Sequence, residues 1–332
     1  MNIGFLGCGA WGFCLATMLA EKGHRVISWS KESELINSLK ENRQHPKFLG
    51  TSISKNLNFT SDLKEALSDA DTIIESVTSE GVRPVFEMVK SIKIPTCPII
   101  ITSKGIEQNT VLTLPEVVLE VLGESSRNQI GVISGPGFAQ EVIKKLPTSV
   151  VCSGFSEKTI LFVRDLFTTQ FFRVYPNSDI TGVCYGGALK NIIAVACGIA
   201  GGLSLGSSCK AALMTRGLHE IRKLAVAKNC KTDTIYGLSG MGDLCLTCGS
   251  SMSRNYKFGE LLAQGASQDK AKKEIDMVVE GVYACISALQ LSKETGISLP
   301  ITEMVYKILY ENFQAADAVA LLMQRSIKEE HL

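Results

Sequence analysis

Three glycines spaced Gly7-x-Gly9-x-x-Gly12 follow a short apolar run, Asn2 to Leu6, and open a helical stretch from Phe13 to Lys22. Between a strand and a helix this spacing suits pyrophosphate binding. Residues without side chains let the backbone come close to the phosphates, whose charge rests on the helix N-terminus. A tight turn with no ligand is the competing reading. About twenty residues further on, NAD-selective sites place an acid that holds the ribose 2′-hydroxyl. Here the chain reads Ser28-Trp29-Ser30-Lys31, with no acid before Glu32. Ser30 and Lys31 suit a 2′-phosphate, so the expectation is a preference for NADPH over NADH. The bland alternative for Lys31 is a surface lysine.

A hydride delivered to a carbonyl carbon requires a proton for the oxygen. Of the four histidines, His24 precedes a strand, His219 sits within a helical stretch, and His45 and His331 are expected in polar surroundings. None has neighbours that suggest catalysis. Two lysines are better placed. Lys104, in Thr102-Ser103-Lys104-Gly105, follows a strand at the edge where open α/β sheets bind ligands. Lys190, in Gly186-Gly187-Ala188-Leu189-Lys190-Asn191, begins a stretch with no charge from 191 to 209. Apolar surroundings penalise the ammonium and should lower its pKa towards a useful range. For each, an ordinary exposed lysine is the alternative.

Two further segments could meet anions. Gly135-Pro136-Gly137-Phe138-Ala139 ends a strand and starts a helix, which leaves backbone NH groups available. Ser253-Arg254-Asn255 follows the glycine-rich run from Gly237 to Leu244, and a guanidinium matches phosphate oxygens in bidentate fashion.

These residues need a scaffold, and the sequence reads as one. Strands are expected at Asn2 to Leu6, His24 to Trp29, Thr72 to Val77, Pro98 to Thr102, Ile130 to Ser134 and Thr148 to Cys152. Helical patterns fall at about 34–42, 62–68, 83–92 and 111–122. Alternating strands and helices imply an α/β, doubly wound Rossmann-type sheet. After about residue 180 only helical periodicity continues, at Leu189, Ile192, Ile193 and Ala196 and later near 255–264, 279–294 and 302–311. The expected domains are therefore 1–180, a dinucleotide-binding domain, and 181–332, an all-helical substrate and catalytic domain.

Bulk composition narrows the function classes. The 332 residues carry a formal net charge of +1, with 45% apolar and 20% charged residues. That balance supports a folded core and gives no basic run for nucleic acid. Eleven cysteines at scattered positions do not form a secreted disulfide scaffold, and they read as reduced thiols of a cytoplasmic protein. Cys245 and Cys248 have CxxC spacing but no second pair and no histidines, so no metal is expected. Residues 1–20 and 191–209 are uncharged but glycine-rich, which argues for buried structure over a membrane span.

At this point the chain resembles the bacterial-type NAD(P)-dependent glycerol-3-phosphate dehydrogenases. The matching pieces are GCGAWG (7–12), SKG (103–105), GPGFAQE (135–141), GALKN (187–191), KAALMTRGLHE (210–220), GLSGMGDLCLTC (237–248), SRN (253–255) and VVEG (278–281). They span nearly the whole chain. The resemblance implies reversible hydride transfer between NADPH or NADH and dihydroxyacetone phosphate, giving glycerol 3-phosphate for phospholipid synthesis. It implies Lys190 as the proton donor and acceptor, with Lys104 and Asn191 beside it and Asp243 orienting the group. Ser253, Arg254 and Asn255 would hold the substrate phosphate, with Gly135 and Gly137 lining that pocket. Gly7, Gly9, Ala10, Trp11, Gly12, Lys31, Lys104, Ala139, Arg254, Val278 and Glu280 would contact the cofactor. A homodimer is the implied assembly.

The chain departs from the family pattern at four places. Gly137 stands where serine or threonine is usual, Cys184 where glutamate is, Gly201 within a usual Asp-Gly pair, and Ser208 where asparagine is. Two alternatives stay open: a related two-domain dehydrogenase acting on a 3-hydroxy acid or sugar acid, and a dinucleotide-binding sensor without turnover.

Overall fold

In the computed structural model, which describes all residues except Lys328, His331 and Leu332, eight strands form one sheet. The expectation for His331 lies outside the described residues. The strands are β1 (Asn2–Leu6), β2 (Arg25–Trp29), β3 (Leu57–Thr60), β4 (Thr72–Glu75), β5 (Ile99–Ile101), β6 (Ile130–Ser134), β7 (Thr148–Gly154) and β8 (Phe172–Pro176). Their order is β3-β2-β1-β4-β5-β6-β7-β8. The winding reverses beside β1, which pairs with β2 on one edge and β4 on the other. Such a reversal opens a crevice at the carboxyl ends of the strands, where ligands bind in this class of sheet.

Strand alternation sets the two cores. Ile3, Phe5, Ile74, Ile100 and Ile133 face one apolar cluster, while Leu6, Ile73, Ile99, Ile101 and Val132 face the other. Both faces are covered, which is why these strands read as nearly continuous apolar runs.

Three features depart from the reading of the sequence. β7 runs antiparallel to β6, because Gly135 to Pro147 holds only the one-turn helix Ala139–Val142 and not the full crossover a parallel return needs. β3 and β8 were not expected; both are short edge strands in which only alternate residues are apolar and buried. The helix Glu157–Phe167 was not expected either, although Ser156 caps it by accepting from the Thr159 N–H.

Packing divides the chain into two compact units, Met1–Gly187 with Asp233–Asp243, and Ala188–Thr232 with Leu244–Leu332. The helix Ile180–Gly202 runs through the division. It is long and apolar enough to cross a membrane by length and composition, yet 94% of its apolar window is buried in the protein. A second helix, Gly206–Ala227, begins inside the uncharged stretch and interrupts it.

The second unit contains only helices and their connections among the described residues. Glycines let its helices approach closely. A Cβ at Gly198 would collide with the Tyr256 carbonyl oxygen, and one at Gly259 with that of Val195. Buried Glu220 reaches from Gly206–Ala227 to the start of the helix Pro300–Tyr310. There it accepts from the Ile301 N–H (2.6 Å), the Thr302 N–H (3.2 Å) and the Thr302 hydroxyl (3.0 Å). An acid at a helix N-terminus satisfies donors the helix itself leaves open.

Candidate active site

The glycine loop is built for a ligand to approach. Gly7 has φ +119°, and a Cβ there would strike the Ser76 carbonyl oxygen. A Cβ at Gly12 would meet the Gly7 carbonyl oxygen at 2.5 Å, so this glycine lets the helix Ala10–Glu21 close against the strand ends. A Cβ at Gly9 would meet nothing within 4 Å. One glycine makes the turn, one packs the helix, and the middle one faces open space at the helix N-terminus. That is the cradle a pyrophosphate requires.

His45 corrects an expectation. It is buried, not in polar surroundings, and packs tilted against Phe13 and Phe48 in an aromatic cluster (ring centroids 4.6 and 5.3 Å). Its Nδ1 accepts from the Lys47 N–H (3.1 Å), which leaves Nε2 to donate to the Cys8 carbonyl (3.0 Å). The ring thus braces the glycine loop as a neutral tautomer, and burial holds its pKa below the ordinary range. The bracing was missed because its partner lies 37 residues away. At the end of β2, Ser30 is buried and Lys31 exposed, and the Ser30 hydroxyl accepts from the Glu32 N–H (3.2 Å).

Lys104 leaves the end of β5 and is held twice. Its ammonium donates to Asp243 Oδ2 at 2.5 Å and to the Gly135 carbonyl at 2.9 Å. An ammonium has three N–H donors, so one is left for a ligand. Gly135, with φ +134°, turns its carbonyl into this position. Gly187 admits the Ser134 hydroxyl, which a Cβ there would meet at 2.7 Å, and the Lys104 stem packs beside it. Asp243 is 2% exposed and follows a wide π-helical turn, Leu238–Gly242, in which the Gly242 N–H donates to the Gly237 carbonyl. Such turns recur at functional sites because they re-aim the residue that follows.

In the second unit Lys190 is 7% exposed, and its ammonium donates to the Thr247 hydroxyl at 2.5 Å. Thr247 lies one turn beyond Asp243 on the helix Asp243–Gly249. Ser253 caps the helix Arg254–Ala263 by accepting from the Tyr256 N–H. The SRN triplet therefore surrounds a helix N-terminus, where anions bind. Asn255 Nδ2 donates to Asn191 Oδ1 (2.9 Å), and its Oδ1 accepts from the Gly281 N–H (2.8 Å). One Asn255 N–H is left over. Arg254 donates to the Val278 carbonyl (2.8 Å), beside Glu280 at the start of the helix Glu280–Thr295. Within each unit, then, the expected residues come together: Gly7 to Gly12, Lys104, Gly135 and Asp243 in one, and Lys190, Asn191, Ser253 to Asn255, Val278 and Glu280 in the other. Ala10, Trp11, Gly137 and Ala139 are all partly exposed.

Two of the four departures have a local cause. A Cβ at Gly137 would lie 3.3 Å from Trp11 Cη2, so the indole takes room that a side chain would need. A Cβ at Gly201 would collide with the Tyr256 hydroxyl. Cys184 lines a small cavity with Ser103, Lys104 and Ser134. Ser208 is exposed, and nothing in the structure explains it.

Glu75 is the group that sequence reasoning passed over. It ends β4 on the face shared with Ile73, fully buried. The signal was present, since an acid within the apolar strand Thr72–Glu75 is rare without a reason.

A family model described as NAD-dependent glycerol-3-phosphate dehydrogenase N-terminus matches residues 2–160, and its C-terminal counterpart matches 179–320. Glycerol-3-phosphate dehydrogenase, NAD(P)+, of Protochlamydia amoebophila (strain UWE25) is 59% identical over 331 residues, covering 100% of this chain and 99% of that protein. The protein of the same name from Chlamydia pneumoniae is 53% identical with the same coverage. The crystal structure of glycerol-3-phosphate dehydrogenase from Coxiella burnetii superposes with a TM-score of 0.93 at 35% identity, covering 98% of this chain and 99% of that one.

Proposed function

The chain belongs to the NAD-dependent glycerol-3-phosphate dehydrogenase family, and from that premise we propose how its residues divide the reaction. It is an oxidoreductase acting on a CH–OH group, using NADH or NADPH to interconvert dihydroxyacetone phosphate and glycerol 3-phosphate. When bound, the nicotinamide supplies or accepts the hydride. The open space at Gly9, with Gly7 and Gly12 shaping the loop, fits the pyrophosphate of that cofactor.

Lys190 gives the carbonyl oxygen its proton and takes it back in the reverse direction. The observation that carries this role is its burial with the ammonium held on the Thr247 hydroxyl, which fixes where the ammonium stands. Lys104, held by Asp243 and Gly135, directs its third N–H to the developing negative charge. Ser253, Arg254 and the spare Asn255 N–H bind the substrate phosphate, and Gly135 and Gly137 are further substrate contacts. Asn191 orients Asn255. Ala10, Trp11, Lys31, Lys104, Ala139, Arg254, Val278 and Glu280 contact the cofactor, and Ser30 with Lys31 favours the 2′-phosphate of NADPH. On this reading residues 1–180 hold the dinucleotide and 181–332 supply most of the substrate contacts. The reading includes a homodimer, a cytoplasmic location in keeping with eleven cysteines that form no disulfide, and a role in phospholipid synthesis.

The test is the loss of nicotinamide absorbance when dihydroxyacetone phosphate is added with NADPH or NADH. Wild-type protein is expected to oxidise both, NADPH with the higher kcat/KM. Lys190→Ala is expected to lose roughly a hundredfold or more in kcat with little change in nucleotide affinity. Turnover within a few-fold of wild type would remove Lys190 from the mechanism.

A further inference from the structure

The end of β4 contains a hydrogen-bond ring that needs one more proton than ionised side chains provide. Glu75 Oε1 lies 2.6 Å from the Val77 N–H and 2.6 Å from Ser103 Oγ. Ser103 Oγ also lies 2.6 Å from the Val77 carbonyl oxygen. A carbonyl only accepts, and a serine hydroxyl has a single proton. With Glu75 ionised, Ser103 can serve one of its two close oxygen neighbours and leaves the other contact without a hydrogen. With Glu75 protonated on Oε1, every contact has its proton. The Val77 N–H donates to Oε1, Oε1–H donates to Ser103 Oγ, and Ser103 Oγ–H donates to the Val77 carbonyl. Oε2 is buried with no well-formed hydrogen bond; the Ser103 and Thr102 N–H groups lie near enough to favour the carboxylate, but burial outweighs them.

No charge stabilises the ionised form. Leu6 of β1 and Ile101 of β5 flank Glu75. Lys104 is engaged by Asp243 and Gly135. On the helices covering this face, Arg83 pairs with Glu107 and Glu120, Glu116 accepts from Thr113, and Glu65 from Thr60. Burial pushes the Glu75 carboxyl up to about 7 against the pull of its hydrogen bonds.

We propose that Glu75 is a positioning residue, held as a neutral carboxylic acid that fixes Ser103 and with it the adjoining Lys104. Ionisation of Glu75 opens the ring at Ser103, and Lys104 loses the backbone support that aims its third donor. The effect on turnover rests on the role given to Lys104 above; the protonation state does not.

The experiment pairs infrared spectroscopy with pH–rate profiles on wild type, Glu75→Gln and Ser103→Ala. Gln cannot complete the ring, because a single amide atom cannot both accept from Val77 and donate to Ser103. Near neutral pH the wild type is expected to show the carbonyl stretch of protonated carboxylic acids, and Glu75→Gln to lose the part that Glu75 supplies while that of buried Glu220 remains. Its kcat/KM for dihydroxyacetone phosphate should fall as pH rises through about 7. Glu75→Gln should lack that limb and lie about tenfold below the wild-type plateau, a free-energy change of about 1.4 kcal/mol. Ser103→Ala should keep the infrared band and weaken the limb. An unchanged limb in both variants, or no band that Glu75→Gln removes, overturns the proposal. Wild type that shows the band but does not reduce dihydroxyacetone phosphate would remove the proposed reaction and leave the neutral Glu75 standing.

Discussion

At the scale of single residues, the pair Trp11 and Gly137 shows how one departure from a family pattern can be locally compensated. The indole edge lies 3.3 Å from where a Cβ at 137 would stand, so a serine there forces the ring aside by a few tenths of an ångström. Trp11 is a proposed cofactor contact, and Gly137→Ser is expected to raise KM for the nucleotide roughly fivefold, about 1 kcal/mol. Trp11→Phe removes the crowding atom, so the double variant should recover most of that loss. Strictly additive effects in the two single variants and the double would show that the residues do not share the space. Much of the candidate site was legible at this scale, because Gly7, Gly9 and Gly12 carry their purpose in their spacing and Lys190 opens an uncharged stretch. Glu75 was marked only as an acid in an apolar strand, and its role, like that of His45, was not legible, since each works through a partner 28 or 37 residues away, and such pairings are not written in local sequence.

At the scale of elements, long-range caps decide which helices end cleanly. The helix Glu157–Phe167 stops where Lys22 donates to the carbonyls of Asp165 (2.6 Å), Leu166 (2.9 Å) and Thr168 (2.8 Å). A cation at a helix C-terminus satisfies open acceptors and complements the dipole. Lys22 is exposed, so Lys22→Met is expected to cost only about 1 kcal/mol. The check is a lower urea midpoint with an unchanged slope; an unaltered midpoint would mean that water serves the three carbonyls equally well. The same scale explains which elements the sequence disclosed. β1, β4, β5 and β6 are buried on both faces and read as apolar runs, whereas the edge strands β3 and β8 are half polar and went unseen. The direction of β7 was hidden because it depends on the short connection after β6, not on the strand's own residues.

At the scale of the whole molecule, three buried titratable groups tie folding to pH with opposite signs. Glu75 and Glu220 are both pushed by burial from an ordinary 4.5 up to about 7. The folded chain keeps protons there that the unfolded chain releases. Their contribution is therefore fully present below about 4.5 and lost as pH rises through about 7. His45 acts the other way. Burial lowers its pKa from an ordinary 6.5, so its contribution is full above that value and lost as pH falls. The opposing terms overlap under mildly acid conditions, while on the alkaline side only the glutamates act. The expected outcome is a thermal midpoint that drops between about pH 6 and about pH 8, and a smaller drop in Glu220→Gln, which cannot ionise. Glu220 caps the helix Pro300–Tyr310, far along the chain from the Glu75 ring, so its substitution leaves the catalytic pH limb assigned to Glu75 in place. Equal drops in wild type and Glu220→Gln would show that Glu220 has the same pKa folded and unfolded, and that its three hydrogen bonds fully offset its burial.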